Sequence, residues 1–201
     1  MARFVTITPD MRDGVLKHLR ESFFADEPLN KAVGLCQRGQ PHAALERLCV
    51  ATIADGLSVA AVDGDTVGVA LNDEKYNKIF TILYNVSHEL NLFESFQVDR
   101  ILECRIVSVS EQARGQGLAK ELMRRSTEIA KDNGFKLFKV DATGAFSQRI
   151  CQSLGLRTLR RVPYAEYCDA NGTPVFDVQH DGNKSLKYLC INSVDKQQSL
   201  K

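Results

Sequence analysis

Between Arg3 and Thr8 the chain sets Phe4, Val5 and Ile7 among polar residues and halts at Pro9, a pattern that predicts a first strand. From Asp10 the period changes. Val15, Leu16, Leu19 and Phe23 recur at three- and four-residue spacing, which predicts an amphipathic helix. Asp26-Glu27-Pro28 is expected to end that segment, because proline disfavours helix in the residue before it. A second helix is predicted from His42 to Ala54, with Leu45, Leu48 and Ile53 on one face. Two strand-like runs follow, 57–62 and 66–71, and the Asp63-Gly64-Asp65 between them is a strong hairpin signal.

The stretch from Glu74 to Asp99 has no dominant period and is helical or irregular. Ile101 to Val109, rich in Ile and Val, reads as a strand, and a helix is predicted from Gln116 to Asn133 with Leu118, Leu122, Ile129 and Ala130 turned inward. Gly134 stops that helix. A strand at 136–140, a helix at 146–154 closed by Gly155, a strand at 157–167, a turn at Asn171-Gly172 and a last strand at 186–191 complete the order. No repeat, low-complexity linker or domain boundary interrupts it, so residues 1–201 are expected to form a single mixed α/β (α+β) domain.

Composition changes this picture little. The 201 residues are 44% hydrophobic and 25% charged with a net charge of +1, which gives no reason to expect nucleic acid or a membrane as partner. Arg124-Arg125 and Arg160-Arg161 read as solvated faces. The six cysteines, at 36, 49, 104, 151, 168 and 190, form no CxxC pair and no metal-ligand spacing. Reduced thiols in a cytoplasmic protein without a metal site are therefore expected. No apolar run reaches membrane-spanning length.

The chemistry lies past the middle of the chain. The strand 101–109 runs through Ser110-Glu111 into Gln112-Ala113-Arg114-Gly115-Gln116-Gly117, which opens a helix. Two glycines allow close backbone approach to a bulky anion, and the unpaired N–H groups of a first helical turn favour phosphate. Arg114 adds a fixed positive charge. A Rossmann fingerprint would need a third glycine and a downstream acid, and a P-loop would need its lysine.

Gln112-x-x-Gly115-x-Gly117-x-Ala119 after an Ile/Val strand resembles the acetyl-CoA motif of the GNAT N-acetyltransferase superfamily. Residues 145–156, ending Leu154-Gly155-Leu156, are similar to that family's second cofactor segment. Phe23-Phe24-Ala25-Asp26-Glu27-Pro28-Leu29 resembles the Asp-Glu-Pro-Leu segment of insect arylalkylamine N-acetyltransferases, the dopamine N-acetyltransferase-like enzymes. The resemblance implies a GNAT fold: a mixed, mostly antiparallel twisted sheet flanked by helices, splayed open after the strand 101–109 at the acetyl-CoA site. It implies that Gln112, Arg114, Gly115, Gln116, Gly117, Leu118 and Ala119 hold the pyrophosphate. Pantetheine would then bond to backbone at Val107, Ser108 and Val109. No metal is implied, and a monomer or weak homodimer is expected.

Acetyl transfer to an alkylamine needs a base, because an amine with a pKa near ~10 arrives protonated. The resemblance makes Glu27, between the apolar pairs Phe23-Phe24 and Pro28-Leu29, that base for direct attack on the thioester. Ser147 would serve the departing sulfur, with Thr143 standing where relatives have a second serine four residues earlier. Many family members carry a tyrosine acid where this chain has Cys151, and a thiol in an apolar helix reads as core. His180 reads as an exposed loop residue. Phe23, Phe24, Tyr164 and Phe176 are possible walls of an aromatic slot. The implied substrates are small arylalkylamines: dopamine, tyramine, octopamine or serotonin. The alternatives are a non-aromatic amine (polyamine, hydrazine or protein lysine) and a catalytically silent acetyl-CoA-binding domain.

Overall fold

The computed structural model describes residues 1–32, 34–75, 90–166 and 184–192. Of the sequence-based expectations, Cys168, the Asn171-Gly172 turn, Phe176, His180 and most of the 74–99 stretch lie outside those residues.

Strand β1 spans Arg3–Thr6, and a short 3-10 turn leads into helix α1, Arg12–Ser22. The three-four spacing puts Val15, Leu16, His18 and Leu19 on the buried face. Pro28 does not leave the chain in a loop. It opens a five-residue helix α2, Pro28–Ala32, because a proline at the first helical position loses no hydrogen bond. Helix α3 is Ala43–Ala54, with the His42 imidazole accepting from the Leu45 N–H at its start. Its buried face is Cys49, Thr52 and Ile53, whereas Leu48, expected inward, is exposed. Thr52 is tolerated inside because its hydroxyl donates to Leu48 O.

The hairpin forms as the Asp-Gly signal requires, with β2 at Val59–Asp63 and β3 at Asp65–Lys75. A short helix α4, Leu92–Ser95, precedes β4, Ile101–Val109. Then come α5 at Leu118–Asp132, β5 at Leu137–Ala142, α6 at Ala145–Ser153, β6 at Arg157–Pro163 and β7 at Ser185–Asn192. The seven strands form one sheet in the order β1-β2-β3-β4-β5-β7-β6. Among the described strands only the central β4–β5 pair is parallel.

That central pair places the site. β4 and β5 are in register from Ile101–Leu137 to Cys104–Val140 and no further, so the sheet opens inside β4, from Arg105 on, rather than beyond its end. On its other edge β4 stays paired with β3 to Val109, but the register slips between Leu71–Ile106 and Asn72–Cys104, leaving Arg105 as an extra residue. Such a bulge shifts which face each side chain occupies. Leu102 and Cys104 share the α5 and α6 core, and after an interval of three so do Val107 and Val109, while Ile106 packs with the α1 and α3 core.

Each face has its own core. One gathers Leu122, Met123, Phe135, Phe138 and Leu189 beneath α5 and α6, and the other gathers Ile7, Leu19, Phe24, Ile53 and Leu71 beneath α1 and α3. Gly68 in β3 lies under α5 so closely that a Cβ would stand 3.1 Å from Leu122 Cδ1 and 3.1 Å from Ser108 O. Cys49, Cys104, Cys151 and Cys190 are buried free thiols.

Candidate active site

From β4 the chain passes Ser110 and a 3-10 turn, Glu111–Ala113, before α5 begins at Leu118. Buried Ala113 and Leu118 anchor this turn in the core, and Gln112, Arg114, Gly115, Gln116 and Gly117 between and beside them are exposed. Gly115 and Gly117 have φ of +80° and +76°, a region that side-chain-bearing residues avoid. Among the described residues no side chain caps the start of α5, so its first-turn N–H groups and dipole are available to an anion. Ala119 is half-buried in that first turn.

Beside the turn runs the β4 edge that β5 has left, Arg105–Val109. Val107 and Val109 are half-buried against the α5 core. The Ser108 side chain is committed elsewhere, its Oγ lying 3.0 Å from Nε2 of His18, which is only 4% exposed. Burial pushes the His18 pKa down to about 4, against opposing backbone hydrogen bonds at Thr66 and Ser108, so the imidazole is neutral. His18 was not among the face residues read from the sequence, and nothing in the spacing pointed to its contact with Ser108.

Asp26 joins this cofactor side to the 23–29 segment. Both of its carboxylate oxygens accept from Arg38 Nη2, at 2.7 and 2.8 Å, and Arg114 Nη2 lies 3.7 Å from its Oδ2. Next to it, Glu27 precedes α2 and accepts the Asn30 N–H on Oε2 at 2.7 Å. An acid is favoured at this helix start. The other oxygen, Oε1, is buried with no hydrogen-bond partner among the described residues.

Tyr164, in the 3-10 turn after β6, is 2% exposed and donates its hydroxyl to Thr143 O at 2.7 Å. Burial raises its pKa, and the negative charge of Glu27 raises it further, so the phenol stays protonated. Tyr164 sits with Leu186 and Tyr188, flanked by Leu29 and Val162. Phe24, a proposed slot wall, instead belongs to the core with Ile7 and Leu19. Thr143 and Ser147 are both half-buried at the β5–α6 junction, and Ser147 Oγ donates to Gly144 O at 2.9 Å. Cys151, one turn on, is fully buried, and burial pushes its thiol up to about 12, as a core residue should be.

One charged cluster escaped the sequence reading. Lys139 Nζ lies 2.6 Å from Asp141 Oδ2 and 3.5 Å from Glu103 Oε1, and all three side chains are under 10% exposed. The Lys139 pKa stays raised because the two carboxylates outweigh the cost of burial. Glu103 and Lys139 face each other one rung before the sheet opens. The spacing of single charges within apolar strands carries no signal that they will meet.

Among the described residues no group of three His, Cys, Asp or Glu is arranged to hold a metal, and no helix is long and apolar enough to cross a membrane.

The described strands form an open sheet, split between two parallel strands beside a glycine turn that opens a helix. The model of the acetyltransferase (GNAT) family matches residues 16–156, more than half of the chain, and the chain belongs to that family. Arylalkylamine N-acetyltransferase 2 from Aedes aegypti is 42% identical, with a TM-score of 0.91 over 96% of this chain and 99% of that one. A Drosophila melanogaster polyamine N-acetyltransferase that forms N-acetylagmatine is 20% identical, with a TM-score of 0.83 over 96% and 100%. A GNAT phosphinothricin acetyltransferase from Sinorhizobium meliloti, solved with acetyl-CoA, is 15% identical, with a TM-score of 0.60 over 95% and 88%. The last two likenesses speak for the fold.

Proposed function

We propose that this GNAT acetyltransferase transfers an acetyl group from acetyl-CoA to the primary amine of a small arylalkylamine such as dopamine, tyramine, octopamine or serotonin, as a cytoplasmic enzyme. The observation that carries the reading is Glu27 Oε1, a buried carboxylate oxygen with no hydrogen-bond partner among the described residues. A buried acceptor left unsatisfied is costly, and an alkylammonium is the group that would satisfy it and then lose a proton to it. The 42% identity to a protein named an arylalkylamine N-acetyltransferase supports the substrate class.

Acetyl-CoA would supply the acyl group as a reactive thioester. The residues fit it: Gln112, Arg114, Gly115, Gln116, Gly117, Leu118 and Ala119 form a positively charged helix entry with no side-chain cap among the described residues, and Val107, Ser108 and Val109 lie on the β4 edge beyond its pairing with β5. Glu27 takes the proton from the amine. Ser147 turns from Gly144 O to donate its O–H as a hydrogen bond to the leaving sulfur, and Thr143 provides the neighbouring hydroxyl. Tyr164 acts through Thr143, holding the β5–α6 junction by its carbonyl. Leu29 and Val162, half-buried over the Tyr164, Leu186 and Tyr188 cluster, supply the apolar surface an aromatic ring requires.

The test is a ratio of kcat/KM for tyramine or serotonin against spermidine and hydrazine under one set of conditions. An aromatic amine favoured by about tenfold, or ~1.4 kcal/mol of transition-state discrimination, is the expected result. Preference for spermidine or hydrazine would overturn the aromatic assignment, and no coenzyme A release with any amine would identify a silent domain.

A further inference from the structure

Helix α5 carries the glycine turn at its head, yet little of its own surface is polar where it meets the sheet. Its buried residues are Leu118, Leu122, Met123, Ser126 and Ala130, so four of the five are apolar. Apolar contacts hold a helix against a sheet without direction, whereas a hydrogen bond fixes one atom against another. Ser126 makes such a bond. It is fully buried, donates to Leu122 O at 3.0 Å, and receives Asn72 Nδ2 at 3.0 Å.

Asn72 is fully buried as well, and its N–H groups are committed, while its Oδ1 has no hydrogen-bond partner among the described residues. The same Nδ2 donates to Leu57 O at 2.7 Å, and its backbone N–H donates to Ser58 Oγ at 3.1 Å. Asn72 is also the residue at which β3 slips register against β4, opposite Cys104, so it marks the bulge at Arg105 where β4 parts from β5. The bond to Ser126 therefore ties the mouth of the opening to the helix. Ser126 lies about 12 Å along α5 from Leu118, at 1.5 Å per residue, and a helix transmits that displacement rigidly. Apolar side chains would fill the same space without the cost of burying an amide and a hydroxyl.

We infer that Asn72 and Ser126 are positioning residues for the cofactor, whose hydrogen bond sets the distance between the glycine turn and the open edge of β4. The inference rests on the acetyl-CoA reading above. A ligand that occupies both places gains from the second only when their separation matches its own length. Neither side chain touches either place, so each acts through α5.

The experiment compares two ligands by calorimetry: coenzyme A, which spans both places, and 3′-phospho-ADP, its nucleotide half. In Ser126→Ala the expected result is coenzyme A weakened about tenfold with 3′-phospho-ADP unchanged within about twofold, since only the linkage between places is lost. The double variant Asn72→Leu/Ser126→Ala replaces the pair by apolar groups. Although Leu57 O then also loses its donor, this variant should keep the reduced ratio of the two affinities, which a merely stabilising contact would not do. It also carries the comparison if the single variant fails to fold. Equal weakening of both ligands, unchanged coenzyme A affinity, or a ratio restored in the double variant would each overturn the inference. Wild-type protein that binds neither ligand would overturn the acetyl-CoA reading and this inference with it.

Discussion

Acidification should destabilise this fold through a residue that takes no part in the proposed proton transfers. His18 is buried against Ser108 and Thr66, and burial lowers its pKa from 6.5 to about 4. Between those values the unfolded chain binds a proton that the folded chain refuses. Stability therefore rises with pH across the window, and as pH falls it is lost from about 6.5 down to about 4, below which the loss is complete. The interval between about 4 and 6.5, at 1.36 kcal/mol per pH unit, amounts to roughly 3 kcal/mol. Against a usual total of about 5–15 kcal/mol, that is a large share. The assay is urea denaturation of wild type and His18→Gln at steps from pH 7.5 to 4.5. Gln does not titrate, so carboxylates that titrate elsewhere cancel in the comparison. The wild-type stability should fall more steeply than the variant's below pH 6.5, with the two curves parallel above it. Parallel curves throughout would refute the reasoning, and a steeper fall in the variant would reverse its sign.

Three further outcomes are expected. Glu27→Gln should lower kcat by roughly 10²–10⁴-fold with acetyl-CoA affinity unchanged, and activity within about threefold of wild type would place the base elsewhere. Gly117→Val forces a β-branched residue to a φ of +76° at the head of α5 and should abolish acetyl-CoA binding in a folded protein. Wild-type affinity by calorimetry would remove the pyrophosphate assignment. Ser147→Ala should slow turnover more than Cys151→Ala, because the Cys151 thiol is fully buried and held protonated, and the reverse ranking would transfer the acid role to Cys151.

Much of the architecture was readable because it depends on near neighbours. Apolar faces located α1, α3 and α5, Asp63-Gly64-Asp65 located the hairpin, and Gly134 and Gly155 located helix ends. Leu48 shows the limit of periodicity, since the choice between its face and that of Cys49 and Thr52 depends on the sheet beneath. Pro28 shows another: its restraint on Glu27 was legible, but the helix it begins was not. The glycine turn was visible as a local run. The Lys139 cluster, the Asn72–Ser126 bond and the His18–Ser108 contact were not, because each joins residues far apart in sequence whose meeting depends on strand order and register.

The extra residue at Arg105 also governs how this protein can vary in length. Substitutions along β4 alter one contact at a time, but a deletion or insertion between Cys104 and Val107 acts like a frameshift. It would turn Val107 and Val109 away from the core beneath α5 and carry Ser108 away from His18, spoiling both faces of the sheet in one event. Among natural descendants of this sequence, gaps should therefore gather in turns such as the one at Gly64 and stay out of this stretch, even where residue identities there drift.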